Sequence, residues 1–305
     1  MHYGLDIGGT KIEITAFNSQ FERVNSHRVA TPKSDYQEFL TTLQRLIDQF
    51  DCEYDTFGTV GLGIPGVENQ ETGVLHISNI PCLHGQTLRA DLAALISRPV
   101  AVENDARCFV FSEAFGGSAN SYRRVFGTIL GTGAGGGICI DKSIYSGASN
   151  LAGEWGHTSL PAKLQQKYQL PLHNCGCGLS GCYERYIAGP GIANLYHHFS
   201  QKEATTPEVI ELMRAGDVEA VKTFDCFIDI AGAALASLVL IVNPDVFVMG
   251  GGVSNIQEIY ERLPNAVTGH LFGNNTSPAI LAPTFGDSGG VRGAAILGSQ
   301  LENDQ

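Results

Sequence analysis

The sequence predicts an α/β protein of two similar domains that face each other across a ligand cleft. Residues 2–7 and 12–17 form a pattern of two strands around a glycine turn, and residues 125–130 and 138–140 repeat that plan around a longer glycine run. The same kind of β-hairpin therefore begins two parts of the chain. Such a duplication predicts two packed α/β units, and the groove between them is a natural ligand site.

The other elements of the first part follow from apolar spacing. Apolar side chains recur at helical spacing over residues 36–50, and Ser34 with Gln37 is placed to form a capping box before this helix. Residues 60–64 and 100–102 are short apolar runs that predict buried strands. Each run ends in a polar or glycine turn, where α/β sheets usually keep their chemistry.

The second part contains a long helix and a strand that ends in glycines. The helix is predicted to begin near Phe227, and it must end near Asn243 because Pro244 disfavours the helical conformation just before it. Residues 245–249 then predict a strand, and this strand runs directly into three glycines at 250–252.

Composition and charge exclude several classes of function. The chain has 305 residues, 43% of them hydrophobic, and can bury a sizeable core. Lys and Arg total 19 against 31 Asp and Glu, so the net charge of -12 would repel a phosphate backbone, and we expect no nucleic acid partner. A bound nucleotide is still allowed, because backbone N–H groups and a metal ion can neutralise phosphates locally.

Neither a membrane span nor a secretion signal is predicted. The longest apolar run, residues 230–242, has the length of a buried core helix and is too short to span a bilayer, so we expect no membrane partner. Met1 is followed at once by a strand pattern rather than by a basic and then a long apolar segment, which predicts a cytoplasmic protein. Its eight cysteines are then better explained as thiols or metal ligands than as disulfides.

In the first glycine loop, D-I-G-G-T-K, a carboxylate at the end of a strand is followed by two glycines, whose backbone is not covered by side chains. Glycines allow the chain to approach phosphate oxygens, Thr10 offers a hydroxyl, and Asp6 could hold Mg²⁺ through water. An ordinary tight hairpin is the alternative for this loop taken alone. The candidate cofactor-binding residues of the first loop are Asp6, Gly8, Gly9, Thr10 and Lys11.

The second glycine loop, residues 131–137, favours a phosphate site, because one hairpin does not need so many glycines. Neither loop is a Walker A motif, and neither follows the G-x-G-x-x-G pattern of dinucleotide folds. The glycines at 250–252 could admit an adenine and a ribose, although a plain strand-to-helix turn explains them as well. The candidate cofactor-binding residues of this part are Thr132, Gly133, Ala134, Gly135, Gly251 and Gly252.

The motif E-N-D-A at 103–106 follows a predicted strand and opens a helical pattern. Asn104 or Asp105 could be no more than a helix N-cap. The functional alternative is that Asp105 is catalytic, because an acceptor hydroxyl loses its proton as it attacks a phosphoryl group, and a carboxylate fixed at a rigid strand end can accept it.

Three cysteines and one histidine predict a zinc site. Cys175, Cys177 and Cys182 lie close together with glycines between them, and His157 stands in the motif E-W-G-H. Three thiolates and one imidazole form a tetrahedral zinc set, and glycines let the backbone fold tightly around a metal. With all four positions filled by protein, this zinc would be structural. Three unrelated thiols beside an ordinary histidine are the alternative.

Together these motifs resemble the ROK family of bacterial sugar kinases and repressors. The resemblance rests on D-I-G-G-T-K at 6–11, G-I-P-G at 63–66, E-N-D-A at 103–106, G-T-G-x-G-G-G at 131–137, E-x-G-H at 154–157, C-x-C-G-x-x-G-C-x-E at 175–184 and the late glycine triplet. It covers essentially the whole chain, and it implies an actin-like ATPase fold, which is ribonuclease H-like and duplicated, with an ATP and sugar cleft between its two domains.

The resemblance also implies an activity and its cofactors. We expect ATP with Mg²⁺ to phosphorylate the 6-hydroxyl of N-acetyl-D-glucosamine, beside a structural Zn²⁺. Glucose and N-acetylmannosamine, which other members of the family phosphorylate, are the alternative substrates. A sugar-sensing regulator is the alternative of another class, but regulators of this family carry a DNA-binding helix-turn-helix before the first strand, and here the first strand pattern begins at Met1.

Site residues follow from the same resemblance. Asp105 matches the base that activates the sugar hydroxyl, and Asn104 matches the asparagine that binds the sugar. Glu154 and Glu184 are similar in position to the acidic residues that grip sugar hydroxyls, and His157 is expected both to bind zinc and to face the sugar. Residue types do not define the acetamido pocket, for which the candidates are Gly66, Ser78 and Asn79.

The two domains are expected to be unequal in size. Residues 1–120 would form the smaller, N-terminal domain, completed by a C-terminal helix at about 290–305. Residues 121–289 would form the larger domain and carry the zinc loop as an insertion. The sequence leaves the oligomeric state open, with a homodimer as one candidate.

Overall fold

The computed structural model describes residues 1–77 and 79–301, and its first part is built on a mixed sheet. In chain order the elements are β1 (His2–Ile7), β2 (Lys11–Phe17), β3 (Arg23–Ala30), α1 (Tyr36–Tyr54), β4 (Thr59–Ile64), β5 (Gly66–Glu68), β6 (Leu75–Ile77), α2 (Leu88–Ile96), β7 (Val100–Asn104) and α3 (Asp105–Ala114). The sheet order is β3-β2-β1-β4-β7, with the first three strands antiparallel and β1, β4 and β7 parallel. β5 and β6 form a separate hairpin beside the sheet.

The second part repeats this sheet. Its elements are β8 (Arg124–Leu130), β9 (Ala134–Ile140), β10 (Ser143–Ile144), α4 (Ala162–Tyr168), α5 (Glu184–Ile187), α6 (Gly189–Ser200), α7 (Thr206–Arg214), α8 (Val218–Val242), β11 (Val246–Gly250), α9 (Glu258–Gly269), β12 (Ala279–Leu281) and α10 (Gly289–Gln300). The order β10-β9-β8-β11-β12 has the same succession and the same antiparallel and parallel pairs as the first sheet. The predicted α/β duplication is therefore confirmed.

Each sheet has its own apolar core, and two helices cross between them. The first sheet packs with α1 and α2, and the second with α6, α7, α8 and α9. α3 follows the first sheet in the chain, yet Phe109 packs with Val125 and Val248 of the second sheet. α10 follows the second sheet, yet it lies on β1 and β4 of the first. Because α3 and α10 also pack against each other, a helix pair joins the two halves.

The approach of α10 to the first sheet depends on glycine. A Cβ at Gly61 of β4 would lie 1.8 Å from the carbonyl oxygen of Ala294, which no side chain could tolerate. The absence of a side chain at Gly61 therefore lets the backbone of the helix rest on the backbone of the sheet.

The predicted cap of α1 and the predicted start of α8 were wrong. The N-cap of α1 is Asp35, whose side chain accepts a hydrogen bond from the Glu38 N–H, so the capping box predicted from Ser34 was one residue early. α8 begins at Val218, well before Phe227, because Asp217 caps it by accepting from the Ala220 N–H. The first turns of α8 are partly exposed and polar, which hides the apolar repeat there.

α8 is also long and apolar enough to span a membrane by length and composition. However, 56% of that apolar stretch is buried inside the protein, and the helix packs against α6, α7 and α9. This burial is typical of the central helix of a folded core.

Candidate active site

A cavity of about 680 Å³ lies between the two sheets and is lined by both halves of the chain. The first half contributes Gly66, Asn79, Asn104 and Asp105, and the second contributes Thr132, Gly133, Ala134, Gly135, Glu154, His157 and Glu184. The structure thus brings together nearly all the predicted substrate residues and the second glycine loop. Ser78, the remaining acetamido candidate, lies outside the described residues.

Asn104 and Asp105 lie where β7 meets α3, and only Asn104 caps the helix. The Asn104 Oδ1 accepts from the N–H groups of Ala106 (3.0 Å) and Arg107 (3.4 Å), while its Nδ2 donates to the Gly66 carbonyl (3.1 Å). Asn104 is therefore the N-cap of α3. Since the cap is already supplied, Asp105 is not needed for it.

One oxygen of Asp105 is held and the other is available. Its Oδ1 accepts from the Ala106 N–H at 2.8 Å, and Oδ2 has no hydrogen-bond partner in any other described residue. The pKa of Asp105 is raised to about 6, first by burial and then by the nearby carboxylates of Asp6 and Glu154, against the lowering effect of the Ala106 N–H. A carboxylate with a pKa close to neutrality and an oxygen facing a cavity is suited to accept a proton.

The second glycine loop is tied to the residues behind it. The Trp155 indole N–H donates to the Gly135 carbonyl at 2.7 Å, and the Ala134 N–H donates to the Glu184 Oε2 at 3.0 Å. A Cβ at Gly251 would lie 2.5 Å from the Leu130 carbonyl oxygen, so the late glycines pack directly against the strand that enters this loop. Gly252 has open space around its Cα.

The first glycine loop is a tight turn next to the cavity rather than part of its wall. The Gly8 N–H donates to the Lys11 carbonyl at 2.9 Å, and a Cβ at Gly9 would lie 3.3 Å from the Asn79 carbonyl oxygen. Thr10 and Lys11 are exposed. Asp6, at the end of β1, is close enough to Asp105 to raise its pKa. The cofactor role of this loop stays a prediction.

His157, Cys175, Cys177 and Cys182 form a compact donor cluster. Their ligand atoms all lie within 4.8 Å of one another. The Cys175 Sγ lies 3.6 Å from the His157 Nδ1, and the Cys177 Sγ lies 3.6 Å from the Cys182 Sγ. Zinc bonds of about 2.3 Å to sulfur and about 2.0 Å to nitrogen would place tetrahedral ligands about 3.5–3.8 Å apart. The spacing and chemistry of this donor set therefore fit zinc.

His157 and Glu184 connect this cluster to the cavity. The His157 Nδ1 faces Cys175, whereas its Nε2 lies 3.9 Å from a Glu154 oxygen inside the cavity. Glu184 opens α5, and its second oxygen, Oε1, lies 3.4 Å from the Cys175 Sγ. The cluster thus fixes two side chains that line the cavity.

Comparison with known proteins identifies the family. The ROK family profile matches residues 2–300. The chain belongs to the ROK family. Among its ROK relatives, the N-acetylgalactosamine kinase AgaK of Shewanella sp. strain ANA-3 is 46% identical over 99% of this chain and 98% of its own length. The N-acetyl-D-glucosamine kinase of Aliivibrio salmonicida is 44% identical over 97% and 99%.

Solved ROK structures share the fold. The ROK hexokinase from Thermus thermophilus superposes with a TM-score of 0.86 at 31% identity, covering 100% of this chain and 99% of that one. A ROK glucokinase from Streptomyces griseus, in complex with glucose and AMPPNP, gives a TM-score of 0.78 at 26% identity over 98% and 99%. The family and the actin-like ATPase fold predicted from the motifs are confirmed.

Sequence reasoning missed several residues of this ROK site. Leu151 lines the cavity, and Trp155 supports the second loop. Arg107 is fully buried behind Asp105, and its guanidinium bonds to the loop of Asn150. The motif E-N-D-A predicted the catalytic and sugar-binding positions. It did not predict that the arginine directly after it is buried, because an arginine in an exposed first helical turn would give the same sequence.

Proposed function

We propose that this chain is an ATP-dependent sugar kinase that transfers the γ-phosphoryl group to the 6-hydroxyl of N-acetyl-D-glucosamine. The observation that supports this best is the position of Asp105. Its Oδ2 has no hydrogen-bond partner in any other described residue, its pKa is raised to about 6, and it faces the same cavity as the second glycine loop. The full-length relatives named N-acetyl-D-glucosamine kinase support the choice of sugar.

In this mechanism Asp105 Oδ2 accepts the proton of the 6-hydroxyl as the sugar oxygen attacks the γ-phosphorus. The bond between that phosphorus and its bridging oxygen breaks, and ADP leaves with the bridging oxygen. Asn104, Glu154, His157 and Glu184 would orient the sugar. Backbone N–H groups of both glycine loops would hold the phosphates, and Asp6 would hold Mg²⁺, which neutralises charge on the phosphates when bound.

The zinc would be structural. All four of its positions would be filled by His157, Cys175, Cys177 and Cys182, which leaves none open for a reacting group. Its proposed role is to fix the loop that presents His157 and Glu184, because a flexible loop could not hold sugar contacts in place.

Protonation of Asp105 should limit the reaction at low pH. With a pKa of about 6 in the free enzyme, the base is ionised above that pH and protonated below it. We expect kcat/KM for the sugar, measured with MgATP well below its own KM so that the free enzyme is reported, to be nearly flat at pH 7–8 and to fall about tenfold per unit below about pH 6. The profile is measured by ADP release at constant ionic strength, and a flat profile down to pH 5 would exclude Asp105 as the titrating base.

N-acetylgalactosamine is a second candidate for the sugar substrate. The relative at 46% identity is named an N-acetylgalactosamine kinase, and several relatives at 42–44% are named N-acetyl-D-glucosamine kinases. The two sugars differ only in the orientation of the 4-hydroxyl, so the acetamido group would be recognised in both. Glucose and N-acetylmannosamine stay as weaker alternatives.

A panel of sugars tests this choice. Coupled ADP release is measured with N-acetylglucosamine, N-acetylgalactosamine, N-acetylmannosamine and glucose, and kcat/KM is compared. We expect N-acetylglucosamine to give the highest value. A higher kcat/KM with N-acetylgalactosamine would reassign the substrate within the same mechanism, whereas no ADP release above the sugar-free rate with any sugar would favour a sugar-sensing regulator.

We also propose where the enzyme is located and which partners it has. A cytoplasmic location agrees with a site that uses ATP and free thiols. The net charge of -12 does not favour nucleic acid as a partner. A homodimer is the assembly we propose to examine first.

A further inference from the structure

The loop before Glu154 contacts the opposite wall of the cleft. Asn150 lies in this loop, which follows β10 in the second half of the chain, and only 9% of its surface is exposed. Its Nδ2 donates to the Glu68 carbonyl, and its Oδ1 accepts from the Gln70 Nε2 at 2.9 Å. Glu68 and Gln70 belong to the β5–β6 hairpin of the first half.

The hairpin on the other side of this contact lines the sugar cavity. Gly66 and Val67 of β5 both face the cavity, and the Gly66 carbonyl accepts from Asn104. On the Asn150 side, Leu151 also lines the cavity, and Glu154 follows three residues later. The two hydrogen bonds of Asn150 therefore join two segments that would contact the sugar from opposite sides.

Arg107 holds Asn150 ready for this contact. Its guanidinium is 1% exposed, and it donates to the Asn150 carbonyl (2.5 Å), the Ala152 carbonyl (3.3 Å) and the Asn150 Oδ1 (3.5 Å). Arg107 lies in the first turn of α3, directly after β7 of the first sheet, and its Nη1 also pairs with a Glu103 carboxylate oxygen of that strand at 3.1 Å. The bonds that Arg107 donates to Asn150 and Ala152 therefore also run from the first half of the chain to the loop before Glu154, beside the bonds of Asn150 to Glu68 and Gln70.

We propose that Asn150 and Gln70 form a latch that holds the cleft closed around the sugar. Asn150 is thus a positioning residue, as is Arg107, which places it. The latch rests on the proposed sugar kinase function, because it acts on the sugar cavity of that function. It stabilises the closed state relative to the open one and touches neither the reacting hydroxyl nor the γ-phosphate.

The latch makes a specific kinetic prediction. A ligand that binds the closed state loses apparent affinity in proportion to the loss of that state. One neutral hydrogen bond has a net value that corresponds to about a 3- to 10-fold change in an equilibrium constant. We expect Gln70→Ala to raise KM for the sugar about 3- to 10-fold and to leave kcat within about twofold, because saturating sugar closes the cleft again.

Asn150→Gly provides the second variant. The backbone of Asn150 has a φ of 55°, so glycine keeps that left-handed conformation, whereas alanine would add strain. The variant loses the side-chain bonds to Glu68 and Gln70, and we expect KM to rise by more than in Gln70→Ala. Since Gln70 acts through Asn150, adding Gln70→Ala to Asn150→Gly should change KM by less than about twofold. Gln49→Ala, on the exposed face of α1, is the matched control and should change neither constant.

Steady-state kinetics of the four variants and the wild type test the proposal. It is overturned if Gln70→Ala leaves KM unchanged, if it lowers kcat instead, or if its effect is the same with and without Asn150. The turnover of the wild type tests the kinase function separately. The latch is tested only by the ratio of each variant's KM and kcat to those of the wild type. If no sugar is phosphorylated, small-angle scattering of the free proteins decides: the radius of gyration of Asn150→Gly should exceed that of the wild type, and an equal value overturns the latch.

Discussion

Replacing Asp105 by asparagine is expected to lower kcat by about 10²–10⁴-fold, the usual cost of removing a general base. The change is nearly isosteric, and asparagine Oδ1 can still accept from the Ala106 N–H that now bonds to Asp105. Sugar affinity, measured by calorimetry, should therefore stay within a few-fold of the wild type. Turnover within a few-fold of the wild type would mean that proton transfer does not pass through Asp105.

The same substitution should stabilise the fold, which separates loss of the base from loss of structure. Folding raises the pKa of Asp105 from 3.8 to about 6, so ionised Asp105 lowers the free energy of unfolding by up to ~3 kcal/mol above pH 6. This penalty is absent only below about pH 3, where the carboxyl is protonated in both the folded and the unfolded state. Denaturant unfolding should show Asp105→Asn to be more stable than the wild type by ~1–3 kcal/mol at pH 8 and about equal to it at about pH 3.

Loss of the zinc is expected to weaken sugar binding about 10–100-fold, the range seen when the support of a site is disturbed. Cys177→Ser removes one donor of the cluster, and we expect less than one zinc per chain together with a raised KM for the sugar. Metal content is measured on the purified protein by mass spectrometry, and kinetics are measured with Mg²⁺ present.

Cys52→Ser is the matched control for the zinc prediction. Cys52 is also an exposed thiol, but it lies on α1, away from the donor cluster. This variant should keep both its metal and its activity. Full activity of the wild type after demonstrated removal of zinc would contradict the structural role.

The duplicated fold could be predicted because each half begins with a hairpin whose turn is rich in glycine. Gly8 and Gly9 mark the first turn and Gly131 and Gly133 the second, whereas the later glycines predicted to belong to that loop, at 135–137, pair with β8 as part of β9. Local chemistry of this kind is visible in sequence. The crossing of α3 and α10 is not, because the apolar side chains of a helix do not specify which sheet they cover.

The sequence predicted the zinc donors but not the contact between Asn150 and Gln70. The zinc donors are unusual residues at close spacing, and the structure places their ligand atoms together. The contact of Asn150 with Gln70 joins two ordinary polar loops that lie 80 positions apart in the chain. Polar residues in turns are common, so only the folded arrangement distinguishes this pair.

The most direct measurement is the structure of the product. The wild-type protein is incubated with MgATP and N-acetylglucosamine, the ADP formed is quantified, and the sugar product is examined by phosphorus and carbon NMR. We expect one phosphate monoester per ADP, with phosphorus coupling at C6 and C5 of the sugar. A phosphate on another sugar oxygen, or ADP formed with inorganic phosphate and unmodified sugar, would contradict the proposal that this cleft activates the 6-hydroxyl for phosphoryl transfer.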